Sequence, residues 1–169
     1  MRLSHVVLSV VAIAGCADAT SPVRLVEPRF SSSLNAPGHL IIGSGHVEQA
    51  AGLREFTFHA IEQPDGSVSG SYKIVLANGL FFETDVTCMA TDENTGWIAG
   101  TIRATNAAAV VVGSISTVFA IDNGDGVGSA DVVSIATFNG AAGGDLAFCT
   151  NRPLVLPQLT VTDGNVQVR

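Results

Sequence analysis

Oxygen ligands are densest at Asp122-Asn123-Gly124-Asp125, followed by Gly126-Val127-Gly128 and then Asp131. Three carboxylates and an amide in a glycine-rich stretch offer the hard oxygen donors that calcium prefers. Their spacing is not that of an EF-hand: counted from Asp122, positions 3 and 5 fall on Gly124 and Gly126, and counted from Asn123, position 5 is Val127. The first reading is therefore a turn in which Asn, Asp and Gly adopt left-handed and Asx conformations. A calcium site of another type, on Asp122, Asn123, Asp125 and Asp131, is the alternative. His39, His46 and His59 are too scattered to share an ion, because residues seven apart on one strand face opposite ways. Glu83 and Asp85 form an acid pair, but two out-facing carboxylates on a strand make a solvated face. The chain has no Gly-x-Ser-x-Gly, no phosphate loop and no His-Glu-x-x-His. No catalytic residue, no cofactor and no firm metal site is assigned, and the chain is not expected to be an enzyme.

The sulfur chemistry begins at the N-terminus. Met1-Arg2-Leu3-Ser4-His5 is a short basic segment, and residues 6–14 are apolar over a length suited to a signal peptide and too short to span a bilayer as a helix. Ile13-Ala14-Gly15-Cys16 resembles the lipobox of bacterial lipoproteins at all four positions. That resemblance implies diacylglyceryl transfer to the Cys16 thiol and removal of residues 1–15. It also implies delivery to the outer membrane, because Ala17 is not the aspartate associated with inner-membrane retention. The alternative is an ordinary cleaved signal with a chance cysteine. Residues 17–37, with Pro22, Pro28, Pro37 and three consecutive serines, keep no structural period and read as a tether, so residues 16–37 carry the lipid and the linker. Leu25, Val26 and Phe30 offer the other possibility, a tether that docks on the domain. A lipoprotein's compartment is oxidising, so Cys88 and Cys149 are expected to form a disulfide. It would close a loop of about sixty residues and contribute roughly 4 kcal/mol on the chain-entropy model. Two buried free thiols are the alternative.

The elements that must position these groups are strands. From residue 38 to residue 169 no window keeps helical periodicity over three turns, while β-branched and aromatic residues alternate between turn signals. Strands are predicted at 39–47, 53–62, 67–76, 80–91, 96–105, 109–122, 130–138, 145–149, 158–162 and 165–169. The hairpin at Asn78-Gly79 has a testable register. A two-residue loop would bring Glu83 and Asp85 onto the apolar face. A three-residue loop, Ala77-Asn78-Gly79, pairs Ile74 with Phe82, Tyr72 with Thr84, Gly70 with Val86 and Val68 with Cys88, and leaves Lys73 opposite Glu83 and Ser71 opposite Asp85. The three-residue loop is adopted, which turns Cys88 inward. Phe56, Phe58 and Ala60 join the same core, as do Val111, Ile115, Phe119 and Ile121. Residues 107–121 are read as a central strand. Glycines inside strands, at Gly70, Gly100 and Gly113, mark bulges or strong coiling. The expected fold is a single all-β domain, an antiparallel barrel or closed sandwich of about 8–10 strands.

At Phe56-Thr57-Phe58-His59-Ala60, Pro64-Asp65-Gly66-Ser67-Val68-Ser69-Gly70, Val86-Thr87-Cys88, Trp97-Ile98-Ala99-Gly100, Val118-Phe119-Ala120-Ile121-Asp122-Asn123-Gly124 and Gly164-Asn165-Val166, the chain resembles a family of uncharacterised secreted β-proteins. The resemblance implies a shared β fold and transfers no catalytic residue. The formal charge of −7 becomes −8 when the signal removes Arg2, leaving seven basic against fifteen acidic side chains. Such a surface repels nucleic acid and anionic lipid heads. Membrane attachment is left to the lipid on Cys16, and the partners expected are the membrane itself and an envelope or extracellular protein. Two functions follow: a non-catalytic interaction or structural domain, or a small-ligand carrier with a barrel open at one end. They differ in whether Phe56, Phe58, Tyr72, Phe82 and Phe119 fill the interior.

Overall fold

The computed structural model describes residues 38–50, 52–125 and 130–169. The signal segment 1–15, Cys16, the tether and Gly126-Val127-Gly128-Ser129 lie outside the described residues. The domain contains β1 (His39–Gln49), β2 (Gly52–Glu62), β3 (Val68–Val75), β4 (Phe81–Asp92), β5 (Thr95–Thr105), β6 (Ile115–Ile121), β7 (Val132–Ser134), β8 (Thr137–Gly140), α1 (Gly144–Asn151) and β9 (Gln158–Val168). All pairings are antiparallel. The order β5-β4-β3-β2-β1-β9-β7-β6 closes on itself through β5–β6, giving an eight-stranded barrel with no free edge in the ring. β8 continues the line of β7 along β6, with Val133 opposite Ala120 and Thr137 opposite Thr117.

The hairpin takes the three-residue loop. Ile74 faces Phe82, Tyr72 faces Thr84, and Lys73 faces Glu83. The Leu76 N–H donates to Leu80 O at 2.7 Å, Gly79 is left-handed at φ 77°, and Asn78 Oδ1 accepts the Leu80 N–H. The β3–β4 ladder ends at Ser71–Asp85, so the expected pairs Gly70–Val86 and Val68–Cys88 are not part of it. The reason lies on β4, which bulges against β5: Val86 faces Gly100 and Cys88 faces Ala99, leaving Thr87 as the extra residue. One extra residue reverses the alternation. Phe82, Thr84 and Val86 point into the barrel, whereas Cys88 is buried on its outer side.

The interior is filled. Phe56 and Phe58 stack at 4.9 Å, Tyr72 meets Phe58 edge-on at 6.2 Å, and Phe82 meets Tyr72 at 6.5 Å. Ile41, Ile98, Ile102, Val118 and Val166 are fully buried with them. A Cβ placed on Gly96 would lie 2.6 Å from Ile41 Cδ1, so this glycine makes room for a side chain of a strand not paired with its own.

Five expected strands are corrected. Residues 145–149 are helical, in α1: the left-handed Gly143 opens the turn, Asp145 sits in the first turn where the helix dipole favours an acid, and Arg152 closes it. A helix of eight residues is shorter than a three-turn periodicity window. Residues 158–162 and 165–169 form one strand, because Gly164 at φ 112° carries the chain past Gly45 and the extra residue Thr162 is taken up as a β9 bulge opposite His46–Val47. The central strand starts at Ile115, not at 107 or 109; residues 107–114 form turns, with the Val110 N–H bonded to Ala107 O and the Ser114 N–H to Val111 O. The 130–138 strand is broken at Ile135, whose N–H donates to Pro157 O. The β6 core assignment had the wrong parity. Val118 and Ala120 point inward, Phe119 and Ile121 pack on the outside, and Val111 is 58% exposed.

Candidate functional site

The barrel has two dissimilar ends. The domain begins at Gly38 at the end that also carries the β2–β3 and β4–β5 turns and Asp122; the opposite end carries the β1–β2 turn, the 76–80 loop and the 106–114 connection.

At the Gly38 end, the carboxylates considered for calcium are engaged by backbone. Asp131 is 5% exposed; its Oδ1 accepts the Asn123 N–H at 2.9 Å and its Oδ2 the Val166 N–H at 2.6 Å. Asp122 accepts the Gly124 N–H at 2.9 Å and the Val168 N–H at 3.1 Å. Asn123 donates to Ala130 O at 2.7 Å. Together they fasten β9 to the β6–β7 connection, where backbone ladders give out. Asp125 is exposed beside them. Among the described residues no three His, Cys, Asp or Glu side chains are placed to hold a metal.

On the outer wall, α1 covers β4, β5 and β6. Cys88 and Cys149 are joined in a disulfide with Cα atoms 6.3 Å apart. The Thr87 hydroxyl, brought out by the bulge, donates to Asp145 at 2.6 Å. That bond holds the Asp145 carboxyl below the usual carboxylate range. The indole N–H of Trp97 donates to Pro153 O at 3.0 Å, and Phe148 packs with Trp97, Ala99 and Phe119. Neither cysteine is left as a nucleophile. Elsewhere on the wall, Glu83 receives Lys73 at 3.0 Å and Arg103 at 3.2 Å, while Arg103 also reaches Asp85 at 3.1 Å. The hydrogen bond from Lys73 is the leading reason that Glu83 is held below its ordinary value. A carboxyl so held is a poor proton donor at neutral pH. His39 lies against Thr91 and His46 against Asp163, on opposite faces of β1.

The end away from Gly38 holds an apolar cavity of about 160 Å3, lined by Leu76, Leu80, Phe82, Val110, Ile135 and Phe138, with Arg54 beside it. Arg54 is the residue that sequence reading missed. It stands in phase with Phe56, Phe58 and Ala60 on β2, and this cation in an apolar row is the signal that would have found it.

Compared with protein-family models, with curated proteins and with solved structures, the chain finds no match in any of the three.

Proposed function

We propose that the chain is a cell-envelope lipoprotein, anchored in the outer membrane by acyl chains on Cys16, whose barrel is a non-catalytic domain acting through its loops and outer surface. The observation that carries this reading is the sequence Ile13-Ala14-Gly15-Cys16 behind a basic and then apolar leader. Each buried CH2 of an acyl chain contributes roughly 0.8 kcal/mol, so several chains on one residue hold firmly. The Cys88–Cys149 disulfide suits an oxidising envelope compartment. The packed aromatic interior favours surface contacts over a carrier with a ligand inside the barrel.

Expression in a Gram-negative host tests it. The wild-type chain is expected in the membrane pellet, released by detergent and not by high salt, and Cys16→Ala is expected to lose that association. Wild-type protein in the soluble fraction, or a Cys16→Ala variant that still pellets as an integral component, would overturn the proposal.

A further inference from the structure

Arg54 differs from the other described cations of the wall. Lys73, Arg103 and Arg152 each reach a carboxylate, whereas Arg54 makes no ion pair or side-chain hydrogen bond among the described residues, and unlike the equally unpaired Arg169 it is not exposed. It occupies an inward-facing position, opposite the buried Val47, and is half-buried. Burial without a counter-charge lowers its pKa from the ordinary arginine value. Snorkelling of the stem past apolar neighbours accounts for an arginine at such a rim. It does not account for the cavity. A void of about 160 Å3 lined by leucine, valine, isoleucine and phenylalanine is close to the size that accepts a benzene ring. Phe138, 45% exposed, leans over Phe82 at 6.2 Å and leaves the opening on the solvent side.

We propose that this mouth binds a small organic carboxylate carrying a single aryl or short alkyl group, with the apolar part in the cavity and the carboxylate on Arg54. The two requirements are complementary. The cavity removes apolar surface from water. The guanidinium fork offers paired donors whose geometry matches a carboxylate, and the incoming charge relieves the uncompensated desolvation. The acidic chain gives no long-range attraction for an anion, so selectivity comes from contact. The site is at the mouth, so it needs no opening of the packed interior, and it stands independently of lipid attachment.

Fluorine NMR titration of the purified full chain, held in lipid nanodiscs if it carries acyl groups and free in buffer if it does not, with 4-fluorophenylacetate and with 4-fluorophenethylammonium, tests the proposal against the matching protein-free sample. The carboxylate is expected to bind at least about tenfold more tightly than the ammonium, a difference of about 1.4 kcal/mol. Arg54→Gln is expected to erase that preference and Arg54→Lys to retain part of it. Ala109→Leu, which adds bulk at an exposed residue of the lining, is expected to weaken both probes. Equal affinity for the two probes, a preference surviving in Arg54→Gln, or no saturable carboxylate binding at low-millimolar concentration would each overturn it.

Discussion

Tyr72 is the sole tyrosine of the chain and lies 1% exposed inside the barrel. Its hydroxyl faces Ser116 and Thr84 without a hydrogen bond of normal geometry. Burial therefore pushes its pKa well up. The folded value lies above the unfolded one, so this group's contribution is fully present below about pH 10 and is lost as pH rises through that window. Ultraviolet titration is expected to show phenolate only as the barrel unfolds; an ordinary phenol midpoint in the folded protein would contradict the burial. Removing the unsatisfied hydroxyl with Tyr72→Phe should stabilise by about 1 kcal/mol, read from denaturant midpoints. The opposite effect is expected at Asp131. Asp131→Ala leaves the Asn123 and Val166 N–H groups without their acceptor and should cost about 3 kcal/mol. Millimolar calcium is expected to leave the wild-type melting temperature unchanged, and a clear rise would make those carboxylates ligands rather than fasteners. The sequence made the turn chemistry around Asp122 legible. It could not show that Asp131 reaches across to Val166, because that contact spans residues brought together only by closure.

Strands 1 to 5 were legible element by element, and so was the Ala77-Asn78-Gly79 loop, because alternation and turn chemistry agree there. Cys88 shows where that logic stops. A ladder count from the loop places it inward, but the extra residue Thr87 turns it outward to Cys149, and a bulge leaves no local mark in the alternation of Val86 and Cys88. The same outward turn gives α1 its seat. Removing the disulfide in Cys88→Ser/Cys149→Ser is expected to cost about 2–5 kcal/mol. It should also loosen α1 while the ring of strands persists. Trp97, the sole tryptophan, reports this directly because its indole is bonded to Pro153 O just beyond the helix. Its fluorescence should shift to the red in the variant with far-ultraviolet dichroism largely kept. Unchanged emission would mean that the helix is held without the disulfide.

At the scale of the molecule, closure of β5 on β6 and the packed aromatic interior make the domain a filled barrel. Small residues allow this closure: Cβ atoms on Gly45, Gly70, Gly100 or Gly164 would each meet the backbone of the paired strand. The barrel was foreseen as one of two closed architectures, and pairing of β5 with β6 decides between them. The cavity beside Arg54 was not foreseen, since its walls come from four separate segments. The address at Cys16 underlies the account of function, and an intact mass of the chain purified from membranes tests it most directly. The account predicts a chain beginning at Cys16, with residues 1–15 absent and the added mass of a diacylglyceryl group and an N-acyl chain on that residue. A mature chain beginning elsewhere, or beginning at Cys16 with an unmodified thiol, would contradict it.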